Sequence, residues 1–160
     1  MTGEAHTKGA SVVGRLTDIA PWEAELIMSV RFWMDGPEGQ AEVWNGFARC
    51  FGANEERSEM RSFESLLSSL CTFARRPLVR HGLGCTCIGS DEAILQTLFR
   101  EATRGDLAEA TMIACLIVPA RHAQPLALMA AQVGQAMQRM SQRTPSQPPT
   151  RTGSEDRMLH

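Results

Sequence analysis

Helix-breaking residues punctuate the middle of this chain at roughly helix-length intervals, and this punctuation restricts the fold more than any other feature. Pro21, Gly36-Pro37, Gly52, Pro77, Gly105, Pro119 and Pro125 divide it into segments. Within each segment the apolar residues follow the 3.6-residue repeat of an amphipathic helix. The first carries Leu26, Ile27, Val30, Trp33 and Met34, and the second Val43, Trp44, Phe47, Ala48 and Phe51. The third carries Met60, Phe63, Leu67, Leu70, Cys71 and Ala74, and the fourth Ile94, Leu95, Leu98, Phe99 and Ala102. Strand-like alternation never extends beyond a few residues, and there is no internal repeat. The pattern predicts an all-α fold, a compact five- or six-helix irregular bundle with neighbouring helices antiparallel or sharply crossed.

Helix ends can be read from the same residues. Pro21 suits a first helical position, with Glu23 in the first turn where the helix dipole favours a carboxylate. Gly36 and Pro37 make a very short turn between the first two helices. Ser90 reads as an N-cap with Asp91 and Glu92 behind it, and Asp106 with Glu109 forms a capping-box pattern. Ala110 to Val118 is apolar nearly all round, which predicts a central, buried fifth helix ended by Pro119. Pro125 is expected to open the last helix, built on Leu126, Met129, Ala130, Val133, Met137 and Met140. The expected core is Ile27, Val30, Trp33, Trp44, Phe47, Phe63, Leu67, Leu98, Ile113 and Leu116. Trp22 is a further anchor, and Cys71 and Cys115 are read as inert packing residues.

The bundle occupies residues 17–140, one domain with enough chain to bury a core unaided. Residues 1–16, with glycines at 3, 9 and 14, read as a flexible arm. Residues 141–160, polar and proline-containing, read as a disordered tail.

Charge and cysteine usage limit the function classes. A formal net charge of -2 argues against general nucleic-acid binding. Residues 1–20 lack the apolar run of a secretory signal, and no stretch reaches membrane-spanning length. The expected compartment is therefore the cytoplasm. There, the five cysteines are core residues, metal ligands or redox thiols rather than a disulfide framework.

One connection is elaborate. Residues 75–89 hold Arg75, Arg76 and Arg80, glycines at 82, 84 and 89, and the spacing His81-x3-Cys85-x-Cys87. In an extended stretch, residues i and i+2 share a side, and the glycines would let the chain bring His81 back to the two sulfurs. Two thiolates and an imidazole suit Zn²⁺ in a tetrahedral site, with Cys71, Asp91, His122 or water as candidate fourth ligand. The C-x-C pair also fits a thiol switch, with His81 or the arginines activating a sulfur. The competing reading is ordinary packing in a glycine-rich turn. The arginines offer paired donors to a phosphate or carboxylate, against the plainer role of bonding helix-end carbonyls.

No nucleophile elbow, metalloprotease motif, P-loop or dinucleotide fingerprint is present. The sequence thus points away from an enzyme. It favours a zinc-binding or regulatory protein acting through the His81–Cys87 loop. The alternatives are an interaction module that binds a protein partner or a second copy of itself through apolar helix faces, and a thiol-based redox sensor.

Overall fold

A computed structural model describes residues 9–143. The arm before Gly9 and the tail beyond Arg143 lie outside the described residues. The described part is a six-helix bundle with one small two-stranded sheet. The helices are α1 (Pro21–Met34), α2 (Pro37–Cys50), α3 (Ala53–Phe73), α4 (Ser90–Thr103), α5 (Leu107–Ala114) and α6 (Ala120–Arg143). Strands β1 (Val12–Arg15) and β2 (Cys87–Gly89) pair antiparallel, with Arg15 opposite Cys87, and a short 3₁₀ turn, Leu16–Asp18, leads into α1. Residues 12–15, placed in the arm by the sequence reading, are therefore the partner that holds the end of the elaborate connection. No helix among the described residues is long and apolar enough to cross a membrane.

The punctuation sets most of the boundaries. Gly36 adopts a φ of 115° between α1 and α2, a conformation open to glycine at little cost. Glu23 reaches back to the Ala20 amide, and Asp106 accepts from the Glu109 amide at 3.1 Å, each satisfying a free helix-end donor. Gly89, rather than Ser90, caps α4; its amide donates to Glu92 at 3.0 Å. The last helix starts at Ala120, more than a turn before Pro125, which lies inside it. Its missing amide leaves the carbonyl of the exposed Arg121 without an intrahelical partner, and solvent can serve there instead.

The core centres on Phe47, Met60, Phe63, Leu66, Leu98, Phe99, Leu126 and Met137, all fully buried. Trp33 meets Phe63 edge-on at 5.5 Å. The central helix is α6, which packs against all five others. Its inner positions are mostly small, among them Ala123, Ala127, Ala130 and Gly134, so neighbours approach closely on several sides. A Cβ at Gly134 would collide with the Thr103 side chain of α4.

Core expectations fail at α5, at Trp44 and at the exposed Cys71. The fifth helix is short and peripheral, ending at Ala114, with Met112 68% and Leu116 66% exposed. An apolar composition all round did not make it central, because α6 already fills the middle. Trp44 is 38% exposed, whereas the neighbouring Val43 and Phe47 supply the inner face of α2. Met137 and Met140, by contrast, are core residues.

Candidate functional site

The site is built around a residue that carries charge where the helical repeat calls for an apolar one. Arg31 stands one turn after Ile27 on the inner side of α1, and its side chain is 0% exposed. A buried guanidinium must place five N–H donors, and every one has a protein acceptor here. Nε donates to Glu92 Oε1 at 2.7 Å, and Nη2 to Glu92 Oε2 at 2.9 Å and the Cys87 carbonyl at 2.7 Å. Nη1 donates to the carbonyls of Cys85 at 2.6 Å and Gly82 at 3.2 Å. The loop backbone is thus wrapped around the Arg31 head group.

Glu92 completes the arrangement from the first turn of α4. Besides Arg31 it accepts the amides of Gly89 at 3.0 Å and His81 at 3.1 Å. Burial alone would push its carboxyl up; the Arg31 guanidinium and these amides outweigh that and hold it below the ordinary value. Its neighbour Asp91 repeats the design. It takes a bidentate pair from Arg76 at 2.7 and 2.8 Å and the Val79 amide at 2.8 Å. Here too burial works upward, and the Arg76 and Val79 hydrogen bonds bring the net shift below the ordinary value. Two adjacent carboxylates at the start of α4 therefore clamp residues 76–92.

His81 is seated tightly. A Cβ at Gly89 would lie 2.9 Å from the His81 ring, so glycine there makes room for the imidazole. His81 Nε2 lies 3.0 Å from the Ala10 carbonyl oxygen. That oxygen can only accept, so the bond requires the proton on Nε2, and in the neutral ring Nδ1 then keeps its lone pair. Nδ1 faces Cys85 Sγ at 3.7 Å, and the Cys87 amide donates to the same sulfur at 3.4 Å. Cys85 is half-buried.

Of the three expected metal ligands, His81 and Cys85 come together. Among the described residues no group of three or more His, Cys, Asp or Glu side chains is placed to hold a metal ion. The candidate fourth ligands are elsewhere or occupied. Cys71 is exposed with its sulfur 3.9 Å from Met34 Sδ, so its reading as a core residue is corrected. His122 stacks on Phe73 at 3.7 Å, and Asp91 is held by Arg76. The three arginines separate into different roles. Arg76 is the partner of Asp91, Arg75 Nε donates to the Cys115 carbonyl at 3.2 Å, and Arg80 Nη2 to the Met34 carbonyl at 3.1 Å.

Compared with known protein families, curated proteins and solved structures, the chain matches none.

Proposed function

We propose that this is a non-enzymatic regulatory protein whose responsive group is the Cys85 thiol, with His81 as its proton acceptor. The observation that carries this reading is the 3.7 Å approach of His81 Nδ1 to Cys85 Sγ, with the other ring nitrogen held by the Ala10 carbonyl. An acceptor oriented by a third group is what an activated thiol requires. The Cys87 amide also donates to that sulfur, at 3.4 Å.

A hydroperoxide would be the oxidant. The Cys85 thiolate attacks its O–O bond, which breaks to leave a sulfenic acid on sulfur and release hydroxide or alkoxide. The Cys87 thiol then condenses with the sulfenic acid, forming a disulfide and water. Because the carbonyls of both residues bond Arg31, a change at either sulfur strains the buried Arg31–Glu92 pair and is transmitted to α1 and α4.

Timed alkylation with iodoacetamide, read by peptide mass spectrometry, tests the reading. Cys85 should react faster than the other four cysteines, and His81→Ala should slow it by about tenfold or more. A Cys85 rate no faster than that of the exposed Cys71, and unmoved by His81→Ala, would overturn it. Elemental analysis of the same sample decides against zinc or for it. About one zinc per chain, lost in the Cys85→Ser, Cys87→Ser variant together with stability, would replace the thiol reading with a structural metal site.

A further inference from the structure

Residues 75–80 also form one wall of a cleft of about 430 Å³, within the usual range of small-ligand pockets. Val30 and Met34 of α1, Leu67 and Leu70 of α3, Leu78 of the connection and Leu95 of α4 line it. Leu67, Leu70 and Leu95 are buried and make its floor, whereas Arg75 and Arg76 are exposed and Arg80 is half-buried. The charges around this apolar hollow do not cancel. Arg76 is matched by Asp91, and Glu92, which also lines the cleft, is matched by Arg31. Arg75 and Arg80 have no carboxylate partner among the described residues. Each commits one N–H to a backbone carbonyl, at Cys115 and Met34 respectively, out of five donors.

We propose that the cleft binds a medium-chain alkyl carboxylate, with its tail on the leucine floor and its carboxylate at Arg75 and Arg80. The apolar floor selects a hydrocarbon tail. Two guanidiniums with donors to spare select an anionic head, and the neutralised Glu92 does not repel it. Bonding helix-end carbonyls explains one donor of each arginine but not why both unmatched cations border the same hollow. This site is separate from the thiol chemistry at Cys85, and either reading can fail without the other.

Calorimetric titration of the full chain with sodium decanoate, below its micelle concentration, tests the assignment. Saturable one-to-one binding is expected, with acetate silent because it lacks the tail and decan-1-ol much weaker because it lacks the charge. The Arg75→Gln, Arg80→Gln variant should bind decanoate roughly tenfold or more weakly, as expected on losing charge-assisted hydrogen bonds. Cys71 gives a readout that needs no variant, since it lines the same cleft. Saturating decanoate should slow its alkylation several-fold while leaving Cys50 unchanged. No saturable binding, equal affinity for decanoate and decan-1-ol, unchanged affinity in the arginine variant, or no protection of Cys71 would each overturn the proposal.

Discussion

The core formed by α3, α4 and α6 and the segment from Arg76 to Glu92 are held by opposite means. The core buries Phe63, Leu66, Leu98, Phe99 and Met137 against one another, and its stability is spread over many interchangeable apolar contacts. The segment has few apolar residues and is held by two carboxylates, one buried guanidinium and the backbone groups they bond. A core loses stability in proportion to the volume removed. A buried charged network fails when one member is lost, because the others are left unpaired in a dry place.

Removing one member from each region should therefore cost similar stability and leave different signatures. Arg31→Met strands Glu92 and three loop carbonyls, and about 3–5 kcal/mol is expected from an unpaired buried charge. Phe63→Ala empties a fully buried site and should also cost about 3–5 kcal/mol. Urea denaturation gives the totals, and amide exchange with Cys85 alkylation shows where they fall. Arg31→Met should expose residues 79–89 and abolish the His81-dependent Cys85 rate, whereas Phe63→Ala should leave both as they are below its unfolding transition. Adding Glu92→Leu to Arg31→Met should recover part of the loss. Identical exchange patterns in the two single variants would mean the segment is not a separately held unit.

Acid should separate the regions without mutation, with a smaller effect. The carboxyls of Glu92 and Asp91 lie below their ordinary values of 4.5 and 3.8 in the folded protein. A depressed folded pKa contributes stability that is fully present above the unfolded value and lost as pH falls through the folded one. Exchange at residues 79–89 should therefore stay protected at neutral pH. Their protection factors, which allow for the intrinsic slowing of amide exchange in acid, should fall progressively below about pH 4.5, before those of α3 and α6 follow. Protection that disappears from both regions at the same pH would sink the distinction.

The same contrast explains which parts of the molecule were legible in its sequence. Core helices announce themselves by period, and the stripes at Met60, Phe63, Leu67 and Leu70 and at Leu95, Leu98 and Phe99 are buried as their spacing implied. Period alone does not rank helices by depth. The small residues of α6 were the sign of its central place, yet the apolar run at 110–118 looked more buried than it is. In the loop, the His81–Cys85 approach follows from spacing and glycine content. Its organiser does not, since Arg31 lies some fifty residues away in sequence. The available signal was a charged residue at an inward position of α1, one turn beyond Ile27. Asp91 and Glu92 read correctly as first-turn acids, but nothing local tells that each also bonds an arginine from elsewhere in the chain. The carbonyl that orients His81 belongs to Ala10, in a stretch with no helical period at all.

Gly89 allows the smallest perturbation and the most selective one. Its Cα hydrogen faces the His81 ring, and a methyl group there would lie 2.9 Å from two ring atoms and 3.1 Å from the Gly9 carbonyl oxygen. The Gly9 backbone is itself confined, because a Cβ on Gly9 would run into the Asp91 carboxylate. The imidazole is the softer neighbour and should be the one to move. Gly89→Ala should then cost about 1–3 kcal/mol, the usual penalty for overfilling a packed site. The larger change should be chemical: His81 leaves the Ala10 carbonyl, Nδ1 turns from Cys85, and the thiol loses its oriented acceptor. Alkylation of Cys85 in Gly89→Ala should fall toward the His81→Ala rate, while core amide exchange and the Arg31–Glu92 pair persist. If Cys85 keeps its full rate in Gly89→Ala but slows in His81→Ala, the imidazole reaches the sulfur without the Ala10 anchor. The acceptor would then be His81 alone, and the segment would be held by its carboxylates rather than by the strand that β1 lays against it.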